Sequence, residues 1–158
     1  MDFGGIERGV YDFSLKASDL GHKVVVVSGG GRFIPLLTEK GIKWHNLPMD
    51  RKNPAVFFGS CRRLRKIIEE EKPDILHAQS RFPCWIACNV MKSFPEMPWV
   101  TSIHNFHTAR LYSQSVGKGN LVITVSKALK KYAEDYLKVP EEKIRVVYNG
   151  IDDAFLNI

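Results

Sequence analysis

With 158 residues, 44% of them hydrophobic and 25% charged, the chain has the length and composition of one globular domain and falls outside the disordered class. No apolar run approaches the roughly 18 to 20 residues of a membrane span, and the acidic, glycine-containing start lacks the pattern of a secretory signal, so the expected location is cytoplasmic. A net charge of +6 and a pI near 9.3 favour an anionic partner, whether nucleic acid, phosphorylated substrate or anionic membrane face, and charge alone does not choose among them.

The opening MDFGGIERGVYDF sets two glycines before an amphipathic run. Ile6, Val10, Phe13, Ala17 and Leu20 recur at helical spacing and Gly21 stands where a C-terminal cap belongs, which predicts a helix with one buried stripe. HKVVVVS follows as a continuously apolar, β-branched run of the kind buried on both faces of a parallel sheet. RFIPLLTEKG reads as a short helix ending at Gly41, and IKWHNLP as a strand closed by Pro48. Asn53 and Pro54 supply a cap and a first-turn proline for a helix from Ala55 to Glu71, with Val56, Leu64, Ile67 and Ile68 on its apolar side.

DILHA is the next strand, CWIACNVMK a helix, WVTSIH and LVITVS two more strands, and Ser126 caps a helix over Lys127 to Leu137 before the last strand, IRVVYN. The segment from His104 to Asn120 exceeds ordinary connection lengths, so it is either a functional loop or contains a short helix around Arg110 to Val116. Strands separated by helices predict an α/β fold: a Rossmann-like parallel sheet with right-handed crossovers and helices on both faces. Cys61, Cys84 and Cys88 are odd in number and lack CxxC spacing, so they read as packed thiols. The basic run CRRLRK and Lys127, Lys130 and Lys131 read first as solvated helix faces with ion pairs four residues apart.

Ligands of an open parallel sheet bind beyond the carboxyl ends of the strands, and this chain keeps its polar residues there. Ser28 to Arg32 follow the first strand, His77, Gln79, Ser80 and Arg81 the third, and His104, Asn105 and His107 the fourth. GGIERG is not the GxGxxG of a dinucleotide site, nothing matches GxxxxGK[ST], and no aspartate ends a strand as a phospho-receiver would require. Gly4 and Gly5 at a helix start suit an anion or a sugar and equally suit a plain tight turn. Glu7 reads as an acid favoured by the helix dipole or as a ligand, and His104 as a hydrogen-bonded strand-end histidine or as a functional one. His77, His104 and His107 have no committed third ligand position, so no metal is expected.

Read together, GGIERGVYDFSLKASDLGHKVVVVSGGG, KPDILHAQSR, VTSIHNFH, VITVSKALKKY and EKIRVVYNGID resemble the N-terminal domain of a retaining glycosyltransferase of family 4, with the GT-B architecture. The segment GGGRFIPLLTEKGIKWHNLPMDRKNP is most similar to bacterial members that build lipopolysaccharide core or related surface glycans. The resemblance implies one half of a GT-B fold lacking its first strand: an acceptor-binding domain over residues 1–150, and over 151–158 the start of a linker to an absent donor-binding domain. It implies His104 as the catalytic-cleft residue, with Gly4, Gly5, Glu7, Arg8, His77 and Arg81 contacting substrate, and no cofactor, because the nucleotide-sugar is a co-substrate. The implied partners are a nucleotide-sugar donor held mainly by the absent domain, a glycan or lipid-linked acceptor, and an anionic membrane surface at the inner face. Nucleic acid is disfavoured, since the basic residues do not interleave with aromatics in a recognisable platform. The other class of function weighed is a non-catalytic domain binding a phosphorylated sugar or an anionic lipid. Loss of the central strand further predicts that Lys23 to Ser28 and Asp74 to Ala78 border a gap, close up or recruit another chain, with marginal stability or association as the consequence.

Overall fold

The computed structural model describes residues 4–49, 53–107 and 113–150. In chain order these form α1 (Gly5–Asp19), β1 (Val25–Ser28), α2 (Phe33–Glu39), β2 (Lys43–Asn46), α3 (Pro54–Glu71) and β3 (Leu76–Gln79). Then come α4 (Arg81–Val90), β4 (Trp99–Ile103), β5 (Leu121–Thr124), α5 (Lys127–Asp135) and β6 (Ile144–Val146). The short helix expected in the long connection is a 3-10 turn at Gln114–Gly117, while residues 108–112 and the expected linker at 151–158 lie outside the described residues.

Local chemistry sets the caps that the sequence signalled, although α4 starts at Arg81, three residues before the expected Cys84, and α5 ends at Asp135, two before the expected Leu137. The Asn53 side chain accepts the Val56 N–H at 2.8 Å with Pro54 in the first turn, and Ser126 accepts the Leu129 N–H at 3.2 Å. Gly21 and Gly41 close α1 and α2 with φ of 87° and 76°, a region that L side chains rarely enter.

Every strand pair is parallel, but the strands form two sheets, β1 with β2 and β3 through β6 in order. Among the described residues β1 and β3 do not pair. The halves are nevertheless held together. Leu47, which follows β2, belongs to the same buried cluster as Phe57, Ile86, Ile103 and Val122, and Val27 and Met49 pack against it. At the amino ends of the strands the Glu71 carboxylate, only 5% exposed, takes Lys23 at 3.4 Å, His45 at 2.8 Å and Lys43. Right-handed crossovers put α1 and α2 on one face and α3, α4 and α5 on the other. Tyr11 accordingly stacks on Phe33 between α1 and α2, and Phe57 on Trp85 between α3 and α4.

One expectation fails. The predicted stripe of α1 is not buried: Phe13 is 58% and Leu20 67% exposed, and Ser14 is the residue of this helix that is buried. Val10 packs against the small cluster of Val26, Ile34, Leu37 and Ile42, while the rest of the stripe is exposed or only partly covered.

Candidate functional site

The site follows from register. Gln79 stands opposite Ser102 on neighbouring parallel strands, so His77 and Gln79 of β3 share a sheet face with Ser102 and with His104, the residue just past β4. His77 Nε2 lies 2.7 Å from Ser102 Oγ, and His104 Nε2 lies 3.1 Å from Gln79 Oε1. These two diagonal contacts make a polar ladder that climbs to the carboxyl edge at His104, on the face covered by α1. The alternate residues point the other way, where Thr101 donates to the Val116 carbonyl at 2.6 Å.

A carboxamide oxygen can only accept, so the contact with Gln79 assigns a proton to His104 Nε2 and leaves Nδ1 as a free acceptor. Burial lowers the pKa of His104 from its ordinary value, which keeps the ring neutral at pH 7. His77 sits deeper, under the edge of the Phe13 ring at 5.7 Å, and burial, aided by the charge of His104, pushes its pKa down to about 4.

This gives a signed pH dependence. Between the ordinary value near 6.5 and about 4 the unfolded chain accepts a proton at residue 77 that the folded chain refuses. Stability is unaffected above that window and falls as pH drops through it, the loss reaching about 3 kcal/mol only once pH is below the folded value. Urea unfolding at pH 7.0, 5.5 and 4.7 is expected to show the decline, and His77→Gln to flatten most of it. Glu71, whose Lys43 and His45 hydrogen bonds hold its pKa down to about 2, adds a loss only below its ordinary 4.5, so the two contributions separate.

Between β3 and α4 the chain turns at Ser80 with φ 73°, a left-handed conformation that is strained for a residue with a side chain. That turn sends Arg81 into the first turn of α4, where its carbonyl accepts Ser115 Oγ at 3.4 Å. The loop after β4 is tied down from α5: Tyr132 donates to the His107 carbonyl at 2.7 Å, and Phe106 meets the Tyr132 ring edge-on. Burial first, then the charge of Arg81, lowers the pKa of His107, so Arg81 and this loop share one electrostatic neighbourhood.

The helix start also lies at the carboxyl edge, because α1 runs antiparallel to β1 across the turn at Gly21. The Glu7 side chain folds back over Gly4, where a Cβ would overlap its carboxylate, while a Cβ on Gly5 would meet nothing within 4 Å. Arg8 turns along the helix instead, its Nε held by both Asp12 carboxylate oxygens at 2.9 and 2.7 Å. After β1, Gly30 and Gly31 adopt φ of 99° and 123°. Gly31→Ala is expected to cost about 1–3 kcal/mol through backbone strain alone, measurable as a lower urea midpoint with an unchanged slope. Clefts of about 250 Å³ and about 390 Å³ lie elsewhere, at Leu47–Arg63 and at Gln114–Lys138.

The structure thus brings His77, His104 and Arg81 to the neighbouring ends of β3 and β4, and Gly4, Gly5 and Glu7 to the start of the helix above that face. Sequence reasoning passed over Ser102, and it noted Gln79 and Ser80 only as polar residues at the edge: Ser102 and Gln79 are the partners that orient the two imidazoles, and Ser80 is the strained turn. Ser102 and His104 at alternate positions, on the same face of β4 and its edge, were the available signal.

A parallel α/β domain with its polar groups at the strand ends and a glycine-started helix over that edge is a Rossmann-like ligand-binding domain. The pattern of Glycosyltransferase Family 4 matches residues 3–155, and the chain belongs to that family. An uncharacterized glycosyltransferase of Methanocaldococcus jannaschii, MJ1607, is 33% identical over 100 residues, covering 54% of this chain and 25% of that protein. A glycosyltransferase from Rickettsia africae superposes with a TM-score of 0.83 at 24% identity, over 99% of this chain and 43% of that one. The lipopolysaccharide outer core galactosyltransferase WaaB gives 0.72 at 15% identity, over 95% and 43%. At those identities the likeness is one of fold, and it identifies the chain with one half-size portion of the GT-B architecture.

Proposed function

We propose that this chain is the acceptor side of a two-domain glycosyltransferase that moves a sugar from a nucleotide-sugar donor to a glycan or lipid-linked acceptor with retention of configuration. In this reading residues 1–150 form the acceptor domain, residues 151–158 begin the linker, and the donor is held mainly by a second domain. The observation that carries it is His104: a neutral imidazole at a strand end, its Nε2 proton committed to Gln79 and its Nδ1 open to a hydroxyl. An imidazole held in this way orients a sugar hydroxyl and stabilises charge as the bond to the leaving phosphate breaks, without a covalent intermediate on the protein. Arg81 faces an acceptor phosphate or carboxylate, and the glycine-lined start of α1 lets the donor phosphates approach the backbone.

Membership of the family supports the transferase class, and the likeness to WaaB favours a surface polysaccharide or lipopolysaccharide acceptor. The net charge of +6 suits peripheral contact with the anionic inner face of the membrane. No helix among the described residues is long and apolar enough to cross a membrane.

The test is a footprint. Titrating 15N-labelled chain with phosphorylated lipopolysaccharide-core oligosaccharide is expected to move the amides of Gly4 to Glu7, Gln79 to Arg81 and His104 to His107, and the dephosphorylated oligosaccharide to bind at least tenfold more weakly. Shifts confined to other surfaces would remove the reading.

A further inference from the structure

We propose that the cleft at Gln114, Asp135, Tyr136 and Lys138 is a second saccharide site, which holds an uncharged pyranose ring of the acceptor away from its reacting end. The cleft, of about 390 Å³, lies between the Gln114–Gly117 turn and the end of α5, and falls within the range of about 300–1,000 Å³ typical of small-ligand sites. Its walls are fixed. Gly117 packs so closely on the segment after α5 that a Cβ there would lie 2.7 Å from Val139 Cγ2. Lys138 is held at φ 56°, a left-handed conformation strained for a residue with a side chain.

The lining suits a sugar. A hydroxyl both donates and accepts, and Gln114 offers an amide of both kinds, Asp135 a carboxylate and Lys138 an ammonium, together with the exposed ring of Tyr136. The electron-rich face of that ring complements the C–H face of a pyranose. Asp135 Oδ2 lies 2.9 Å from Lys131 Nζ, and a carboxylate, with about four lone-pair sites, accepts further hydrogen bonds. One carboxylate and one ammonium leave the lining without net charge, which selects an uncharged ring, whereas an anionic unit is better served by the guanidinium of Arg81. A row of rings connects the cleft to the carboxyl edge. Phe106, 63% exposed and two residues past His104, meets Tyr132 edge-on at 5.4 Å, and Tyr132 stacks at 5.2 Å on Tyr136, one turn further along α5. Tyr132 also holds the His107 carbonyl at 2.7 Å, so the row is anchored where it begins. A glycan laid along it places its charged unit at Arg81 and a neutral unit at Tyr136. Naming that glycan the acceptor rests on the transfer reading.

The experiment titrates the 15N-labelled chain with dephosphorylated lipopolysaccharide-core oligosaccharide. Amide shifts, the ring-current shift of the sugar C–H protons and melting temperature are read for the wild type, Tyr136→Ala, Tyr136→Trp and Gln114→Ala. In the wild type the amides of Gln114 and of Asp135 to Lys138 are expected to move, and the sugar protons to shift upfield. Tyr136→Ala is expected to weaken binding about 3- to 10-fold and to abolish the upfield shift, and Tyr136→Trp to preserve both. Gln114→Ala, a change at an exposed side chain, is expected to weaken binding with the melting temperature unaltered. In the completed two-domain enzyme Tyr136→Ala should raise KM for the acceptor and leave kcat nearly unchanged, as a contact made equally in ground and transition states does. No shift at the cleft, equal binding by all four proteins, or a cleft that responds only to the phosphorylated oligosaccharide would each overturn the proposal while leaving the transfer reading intact. A cleft engaged as expected in a completed enzyme that transfers nothing would remove that reading and leave the saccharide site standing.

Discussion

Replacing His104 by alanine is expected to lower kcat of the completed two-domain transferase about 100-fold or more, with a much smaller change in KM. The two ring nitrogens carry the effect. Gln79 holds Nε2–H at 3.1 Å, so the imidazole cannot rotate freely, and Nδ1 is presented in one direction without the cost of ordering it during reaction. Loss of a preorganised group of this kind typically raises a barrier by about 3 kcal/mol. His104 is only partly buried and follows the last residue of β4, so His104→Ala is expected to leave the fold intact. His104→Gln, which keeps an acceptor of different reach, is expected to fall between the two. Because burial lowers the pKa of His104, the rate should hold as pH falls past the ordinary histidine value of about 6.5 and decline only below it. An alanine variant with unaltered kcat would show that the edge positions nothing that reacts.

The residue immediately before it has the largest expected effect on stability. Ile103 is 0% exposed, stands at the end of β4 opposite Thr124, and belongs to the cluster that joins both halves of the sheet. Ile103→Ala removes three carbons where α4, β5 and the Gln114–Gly117 turn leave little room to collapse, and is expected to cost about 2–5 kcal/mol. Domains of this size have about 5–15 kcal/mol in total, and a split sheet places this one toward the lower end. The variant is therefore expected to be partly unfolded at 37 °C, whereas Ile103→Val should lose only about 0.5–1.5 kcal/mol. Chemical denaturation of the three proteins at pH 7 measures the series. Equal stabilities would mean that this part of the core is looser than its burial indicates.

Much of this architecture is local chemistry and was legible as such. A cap such as Asn53 or Ser126 is a property of four or five neighbouring residues, and glycines such as Gly21 and Gly41 mark backbone that others avoid. Alternating apolar runs and helical stripes then give a parallel α/β fold. Register is not local. The contacts His77 to Ser102 and His104 to Gln79 depend on how β3 slides against β4, which no spacing along either strand encodes. The strain at Ser80 is equally silent, because serine has no special liking for φ 73° and is held there by the strand and helix on either side. The stripe of α1 failed for a different reason: periodicity states which face of a helix is apolar, not how much of that face its neighbours cover, and here Val10 packs on the Val26 cluster while Phe13 and Leu20 stay exposed. Arg8, expected at the cleft, is engaged by Asp12 four residues on, an interaction that spacing alone allows and that competes with any outward role.

The most direct test of the central claim is transfer itself. Residues 1–158 are joined to the donor-binding domain of a family-4 transferase and assayed with a panel of nucleotide-sugars against lipopolysaccharide-core acceptor, the anomeric configuration of the product being read by NMR. The account predicts transfer with retention by the joined protein, and transfer reduced about 100-fold by His104→Ala with donor binding unchanged. A folded chimaera that binds donor yet yields no product above the level of its His104→Ala variant would contradict it, and would leave the edge as a binding surface without a catalytic role.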